Sequence, residues 1–131
     1  METVENIKNM VTSQDADGNT LLHRAVLAYN YELLSVLLNL SAMVSPDAIN
    51  IKNNVQLTPL LVAVYLGNIS LVKRLLDANA DITITDTRRS HSAIHIACNK
   101  KNLQILNVLL FEIFFLVFVI LYDLFFLVVA K

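Results

Sequence analysis

The sequence predicts an all-α fold in which pairs of short helices stack on one another. The first observation is a six-residue pattern that occurs three times, at residues 20–25, 58–63 and 92–97. The second is that apolar residues follow each of the first two copies at the three- and four-residue spacing of a helix face. The third is an apolar C-terminal segment, which contains all six phenylalanines of the chain.

Length and charge limit the classes of function. The 131 residues have room for one domain, and the net charge of -1 offers no basic surface of the kind that binds nucleic acid. The single cysteine, Cys98, excludes a disulfide framework, and the N-terminus lacks the apolar core of a signal peptide. We therefore expect a cytoplasmic location for the folded part and no nucleic-acid partner.

Each position of the recurring pattern has a physical task. The Thr58 hydroxyl can cap a first helix, and Pro59 suits the first helical position because its missing N–H has no partner there. Thr20 and Ser92 stand at the same position in the other two copies and can cap in the same way. Small residues allow the first helix to approach its neighbours closely, and they recur as Ala25, Ala63 and Ala97.

A second helix is predicted in each unit, at residues 31–40, 69–78 and 103–110. In the first of these, Leu33, Leu34, Leu37 and Leu38 form the apolar face. Such a pair cannot bury this face alone, so stacking on neighbouring pairs must supply the core. The predicted organisation is a lead-in at 1–14, units at about 15–48, 49–84 and 85–110, and a hydrophobic tail at 111–131.

The pattern resembles the ankyrin repeat. The capping residues are 38 and then 34 positions apart, which is the ankyrin period of about 33 with insertions of about five and one residues. Asn79-Ala80-Asp81 is similar to the Gly-Ala-Asp that ends ankyrin units. Repeat three resembles the family less well, because Arg88-Arg89-Ser90-His91 replaces its usual turn and Asp86 stands one residue too far upstream. In repeat two, Leu61 replaces the family's structural histidine.

Within the ankyrin proteins, the chain resembles the inhibitors of NF-kappa-B. Residues 48–60 are similar to the opening of that family's second repeat, and residues 15–23 to the opening of its first. Ser92-Ala93-Ile94-His95 resembles the Ser-Ala-Met-His of NF-kappa-B precursors, including the Relish type. The resemblance implies a protein that binds Rel-type transcription factors, covers their nuclear-localisation segment with its first repeats and retains them in the cytosol. It implies a truncated member, since six or seven repeats, an Asp-Ser-Gly degron and an acidic tail are the family norm.

By the same resemblance, partner contacts are expected at the turn tips and the concave surface of repeats one and two. The candidate partner-binding residues are Asp15, Asp17, Arg24, Asn53 and Asn54. A plain solvated surface is the simpler interpretation of the carboxylates, and an acidic surface for a basic peptide is the alternative. That surface would comprise Asp15, Asp17, Glu32 and Asp47.

No catalytic, cofactor or metal site is predicted. His91, His95 and Cys98 fall at the spacing of one helical face, but a tetrahedral zinc site needs a fourth ligand and no second cysteine exists. We interpret His95 and Cys98 as first-helix residues of repeat three, with His91 in the preceding turn. Two glycines cannot form a phosphate loop, and no serine has a nucleophile-elbow context. The chain is therefore predicted not to be an enzyme.

The tail at residues 113–130 is apolar except for Asp123. Its eighteen residues would span roughly 27 Å as a helix, against a hydrocarbon core of about 30 Å. Lys100 and Lys101 precede it, as expected for a helix whose N-terminal side lies in the cytosol. Three interpretations remain open: a membrane anchor, non-native sequence such as a translated intron, or a hydrophobic cap on repeat three. The alternative functions are accordingly a membrane-anchored adaptor for another partner and a fragment without function.

Overall fold

The computed structural model describes residues 2–130, and its helices confirm the all-α fold. In chain order they are α1 (Glu2–Thr12), α2 (Leu21–Leu27), α3 (Tyr31–Val44), α4 (Pro59–Leu66), α5 (Ile69–Asp77), α6 (Ala93–Asn99) and α7 (Leu103–Val129). A 3-10 turn, Pro46–Asn50, follows α3. Residues 2–130 contain no β-strand.

The helices form three antiparallel pairs, α2 with α3, α4 with α5 and α6 with α7. The first helices contact one another in the order α2, α4, α6, and the second helices in the order α3, α5, α7. One apolar core runs through all three pairs. Its largest fully buried side chains include Leu22, Leu34, Leu60, Leu71, Leu75, Ile96 and Ile105.

Thr20 and Thr58 cap the first helices α2 and α4, as the sequence predicted. Thr58 Oγ1 accepts a hydrogen bond from the Leu61 N–H at 3.2 Å, and Pro59 is the first residue of α4. Each second helix begins after an asparagine whose side-chain oxygen accepts the N–H three residues later, at 3.0–3.1 Å. These asparagines are Asn30, Asn68 and Asn102. Caps of this kind stabilise a helix by about 1 kcal/mol.

Left-handed backbone positions repeat at the spacing of the capping residues. In the turn between the two helices of each pair, φ is +53° at Tyr29, +72° at Gly67 and +55° at Lys101. Only Gly67 adopts this conformation without the crowding of a Cβ atom. The same turn is therefore built three times, with its preferred residue in repeat two alone.

The structure differs from the sequence prediction at four places. Residues 2–12 form α1, which packs on α2 and α3 and buries Val11, although no helix was predicted in the lead-in. Helix α3 extends four residues beyond its predicted end at residue 40, because the insertion adds a turn. Leu33 of this helix is 43% exposed, so the predicted apolar face was wrong at that position. Helix α7 continues without a break through residues 110 and 111.

Candidate protein-binding surface

A short loop, here called a finger, precedes each first helix and is closed by one acidic or amide side chain. In finger one (residues 15–19), Asp15 Oδ1 accepts the N–H groups of Asp17 and Asn19, both at 2.9 Å. In finger two (residues 53–57), Asn53 Oδ1 accepts two N–H groups in the same way, at 3.1 and 3.0 Å. The donors in finger two are those of Val55 and Leu57. Asp15 and Asn53 thus shape their own loops.

Finger three (residues 86–91) is closed by Asp86. Its Oδ1 accepts the N–H groups of Arg89 and His91, at 2.9 and 3.1 Å, and one extra residue is accommodated within the loop. Asp86 stands one residue further upstream than the family pattern because finger three is one residue longer, and its carboxylate accepts two backbone N–H groups as Asp15 does in finger one. Burial acts to raise the pKa of Asp86, but the two N–H donors and the nearby side chains of His91 and Arg89 lower it below its ordinary value.

Fingers one and two are joined by a row of hydrogen bonds. The Asn54 N–H donates to the Asp17 carbonyl at 3.0 Å, and Asn54 Nδ2 donates to the Ala16 carbonyl at 2.9 Å. Asn53 Nδ2 donates to Asn19 Oδ1 at 2.9 Å. A Cβ at Gly18 would lie 2.6 Å from the Asn54 nitrogen, so only glycine allows this approach. The Asn53-Asn54 pair therefore holds two repeats together.

His23 makes a buried connection between repeats one and two. Its Nδ1 accepts the Thr20 N–H at 3.1 Å, so the other ring nitrogen, Nε2, carries the proton. Nε2 donates to the Leu57 carbonyl at 2.8 Å. Burial lowers the pKa of His23, while the Leu57 carbonyl and the charge of Asp15 act in the opposite direction.

A concave cavity of about 560 Å³ lies beside the joined fingers. Three of the predicted contact residues, Asp17, Asn53 and Asn54, lie on its wall together. Apolar side chains from fingers and first helices form the rest, and several of them are exposed: Leu27, Val55, Tyr65 and Leu66. Of the other two candidates, Asp15 and Arg24 are exposed but do not line this cavity.

Lys100 is a residue of this cavity that the sequence did not suggest. Its ammonium lies 5.7 Å from the centre of the Tyr65 ring. The cavity wall therefore carries a positive charge at Lys100 as well as the negative charge of Asp17. In the sequence, Lys100 stood out only as a charge preceding the apolar tail. Its approach to Tyr65 depends on the stacking of repeat three on repeat two, which residue spacing alone did not reveal.

His95 and Cys98 lie on α6 and His91 in the finger before it, as the sequence predicted. The rings of His91 and His95 stack with their centres 5.6 Å apart, and His95 Nδ1 accepts the Ser92 N–H at 3.1 Å. Within residues 2–130, no three His, Cys, Asp or Glu side chains are grouped so as to hold a metal ion. These histidines therefore have structural contacts of their own.

The C-terminal half of α7 leaves the stack. Ile105 and Leu109 are buried in repeat three, and Ile113 is the last α7 residue that packs against the core. From Phe114 to Val129 the large apolar side chains are between 38% and 79% exposed. By length and composition α7 can cross a membrane, and only 11% of its most apolar 18 residues are buried. In residues 2–130, the tail beyond Ile113 does not act as a cap on repeat three.

The family model for ankyrin repeats in three copies matches residues 2–86 and 43–115, so the chain belongs to the ankyrin-repeat family. The chain is 34% identical over 104 residues to the NF-kappa-B p105 subunit of Rattus norvegicus. It is 33% identical over 95 residues to NF-kappa-B inhibitor alpha of Gallus gallus, and 34% identical over 87 residues to NF-kappa-B inhibitor epsilon of Homo sapiens.

These matches cover 79%, 71% and 66% of the chain, which spans only 11%, 29% and 17% of the respective relatives. The predicted resemblance to inhibitors of NF-kappa-B is confirmed. The chain is a protein-interaction module of the ankyrin class.

Proposed function

We propose that the chain binds a Rel-type transcription factor in the cytoplasm, in the manner of an NF-kappa-B inhibitor. The likeness to NF-kappa-B inhibitors alpha and epsilon and to p105 supports this partner class. The observation that carries the proposal is the concave cavity, in which predicted contact residues of two fingers meet an apolar wall. An extended peptide needs both features, because apolar contacts supply affinity and polar groups fix its register.

Charge favours the nuclear-localisation segment as the part of the partner that is bound. Asp15 and Asp17 are both exposed on finger one, beside the cavity, and their carboxylates are complementary to a basic segment. Arg24 is exposed on α2 of the same repeat, where its guanidinium can donate hydrogen bonds to a carboxylate of the partner. Asn53 and Asn54 serve the surface by holding fingers one and two in one register.

A binding titration tests this function. The full chain, kept in a mild neutral detergent, is titrated with a labelled Rel homology region that carries or lacks its nuclear-localisation segment. We expect tighter binding when the segment is present, and an affinity below that of a full-length inhibitor, which has more repeats. Equal affinity for both forms of the Rel protein would reject the proposal.

A charge variant locates the contact. Replacing the exposed carboxylate in Asp17→Asn should weaken binding about two- to fivefold, the size expected for one exposed ion pair. Asp81→Asn is the matched control, since Asp81 is exposed outside the cavity. An effect of the control as large as that of Asp17→Asn would mean that net charge alone explains the binding.

The exposed half of α7 supports a second function, anchoring the module to a membrane. The sixteen residues from Phe114 to Val129, which lie beyond the last contact with the repeats, span about 24 Å, most of the roughly 30 Å of the hydrocarbon core. Apolar side chains are exposed on every face of this segment. A protein partner would need one apolar stripe, whereas a lipid environment requires apolar residues all round. Lys100 and Lys101 at its N-terminal side favour a cytosolic location for the repeats.

Alkaline carbonate extraction of cell membranes tests the anchor. We expect the chain to remain in the lipid fraction, and Asp123→Leu to favour insertion by roughly 3 kcal/mol on the translocon scale. Arginines at Val117 and Val119 should abolish insertion, because each adds a similar penalty. Met43→Arg is the control, since Met43 is 80% exposed on the repeat stack. Release of the unaltered chain by alkali, or a pellet free of lipid, would reject the anchor.

A further inference from the structure

The three fingers differ in charge according to their distance from the apolar half of α7. Finger one carries the exposed carboxylates of Asp15 and Asp17, and finger two has no charged side chain in residues 53–57. Finger three belongs to the repeat that continues into the apolar segment, and it presents the adjacent, exposed guanidinium groups of Arg88 and Arg89. From the first finger to the third, the exposed charge therefore changes from acidic through neutral to basic.

A third cation lies beside finger three. Lys52, just before finger two, reaches across the second junction, and its Nζ donates to Thr87 Oγ1 at 3.2 Å. The carboxylate of finger three, that of Asp86, is buried and accepts two backbone N–H groups. The exposed side chains of this finger are therefore positively charged or neutral.

Finger three lies at the level where α7 leaves the repeats. Helices α6 and α7 run antiparallel from the turn at Lys101, so Ala93 at the start of α6 lies level with Leu109 of α7. The finger directly precedes Ala93 and so lies near the level of Ile113, the last α7 residue packed against the core. The turn at Lys101 is about 18 Å away along the helix axis. If the apolar half of α7 crosses a membrane, finger three is level with the lipid headgroups.

The acidic side chains at this end of the stack lie on its other side. Glu112 and Asp77 line a cavity with Lys73 between the second helices. The Asp81 N–H donates to Asn50 Oδ1, in the turn that follows α3. Helices that span membranes are commonly tilted by about 20°, and such a tilt can bring the finger side towards the headgroups while it lifts the acidic side.

We propose that finger three binds the anionic phospholipid headgroups of the membrane that anchors α7. This binding rests on the proposed anchoring function of α7, which alone brings the finger to a membrane. Anionic lipid attracts basic side chains within about a Debye length, roughly 8 Å, and the guanidinium groups of Arg88 and Arg89 can donate paired hydrogen bonds to phosphate oxygens. The same surface repels Asp15 and Asp17, so finger one stays away from the lipid and its carboxylates remain open to a basic partner segment.

Nuclear magnetic resonance of the full ¹⁵N-labelled chain in lipid nanodiscs tests the proposal. The discs contain phosphatidylcholine with or without phosphatidylserine, and a gadolinium chelate on a lipid headgroup broadens amide signals near the surface. We expect the Arg88 and Arg89 amides to be broadened at least about twofold more with phosphatidylserine, because each basic side chain favours an anionic surface about fivefold. The Lys101 amide should be unaffected in both.

The signals of α7 report on the anchor separately. A chain whose α7 enters both kinds of disc, but whose finger three is broadened equally in both, would overturn the proposal and leave the anchor intact. Stronger broadening at Lys101 than at Arg88 would overturn it as well. A chain that does not enter the discs would reject the anchor, and the lipid contact with it.

Two double variants with the same change in charge locate the contact. Arg88→Gln with Arg89→Gln should remove the dependence on phosphatidylserine. Lys100→Gln with Lys101→Gln should leave it unchanged, because that exposed turn is about 18 Å from the headgroups, beyond two Debye lengths. Equal losses in the two double variants would mean that only net charge matters. That result, or an unchanged dependence without the two arginines, would overturn the site.

Discussion

The two junctions between repeats are built differently. Between repeats one and two, the buried His23 imidazole bonds to the Leu57 carbonyl, and the Asn53 and Asn54 side chains bond across the fingers. Between repeats two and three, the position equivalent to His23 is occupied by Leu61, which is buried and has no hydrogen-bonding group. The hydrogen bonds from finger three run through one side chain, Thr87, to Gln56 of finger two and to Lys52 just before it, and they are exposed.

This difference shows what polar and apolar contacts each contribute to a repeat stack. Apolar packing holds both junctions, because the core is continuous from α2 to α7. Within residues 2–130, buried hydrogen bonds cross the first junction alone, where they fix the register of repeat two on repeat one. In a stack where each repeat contacts only its neighbours, the second junction should therefore open first.

The largest loss of stability is expected from a variant in the middle repeat, which takes part in both junctions. Leu75 is fully buried in α5, the second helix of the middle repeat, so Leu75→Ala should destabilise the chain by about 2–5 kcal/mol. Lys73→Ala on the exposed side of the same helix should change stability by less than about 0.5 kcal/mol. Urea unfolding followed by circular dichroism measures both. Similar midpoints for the two variants would contradict the packing of α5.

The next largest effect is expected for His23→Leu, which places at the first junction the residue type found at the second. His23→Leu leaves the Leu57 carbonyl and the Thr20 N–H without their buried partner, and should destabilise the chain by about 1–3 kcal/mol. Leu61→Ala is the comparison at the second junction, where stability is lost only because the smaller side chain leaves an empty space in the core. The hydrogen-exchange rates of the backbone amides around Leu57 should rise in the His23→Leu variant. Unchanged exchange there would mean that the imidazole does not hold the junction.

The first junction should also depend on pH. Burial holds the pKa of His23 below its ordinary value of about 6.5, so the unfolded chain binds a proton more readily than the folded one. The stability that His23 contributes is therefore fully present above pH 6.5 and is lost as the pH falls below it. Urea midpoints measured between pH 7.5 and 5 should fall more steeply for the unaltered chain than for His23→Leu. Parallel pH profiles would contradict this origin.

The sequence predicted the parts of the fold that depend on local chemistry. Capping by Thr58, the first-turn position of Pro59 and the burial of Leu34 each follow from helix rules that need no knowledge of neighbours. The confirmed resemblance to NF-kappa-B inhibitors likewise rested on contiguous segments. Contacts between repeats were not predictable in this way. The buried Asn53 side chain bonds to Asn19 of finger one, and residue spacing contains no information on the distance between these two residues.

The other differences between the sequence prediction and the structure also concern features that local residue patterns do not contain. Helix α1 is held by packing on α2 and α3, which local propensity in residues 2–12 did not indicate. The change in composition at residue 111 suggested a boundary, but backbone hydrogen bonding ignores side-chain polarity and α7 continues through it. A cavity lined by Ser41, Asp47 and Asn79 lies where the insertion of repeat one folds against the end of α5 in repeat two. The binding roles of Asp15, Asp17, Arg24, Asn53 and Asn54 stay predictions.

The smallest expected effect is a gain in the stability of repeat three, which would reduce the difference in stability between the two junctions. Lys101 and Gly67 occupy the same turn in neighbouring repeats, with φ of +55° and +72°. A side chain is unfavourable in this conformation, so Lys101→Gly should stabilise the chain by about 0.5–1 kcal/mol. Gly67→Ala should destabilise it by a similar amount, because the nearest atom to the new Cβ, Asn102 Nδ2, is 3.6 Å away and only the backbone conformation is penalised.

Lys101→Ala separates backbone from charge in this turn. It removes the ammonium but keeps a Cβ in the left-handed conformation, so it should not reproduce the gain of Lys101→Gly. Thermal unfolding of the three variants beside the unaltered chain gives the differences directly. If Lys101→Gly and Lys101→Ala stabilise equally, the gain comes from removing the charge of Lys101 beside Lys100, and the turn geometry contributes nothing. A gain in Lys101→Gly alone means that repeat three carries a backbone penalty which repeat two avoids with glycine.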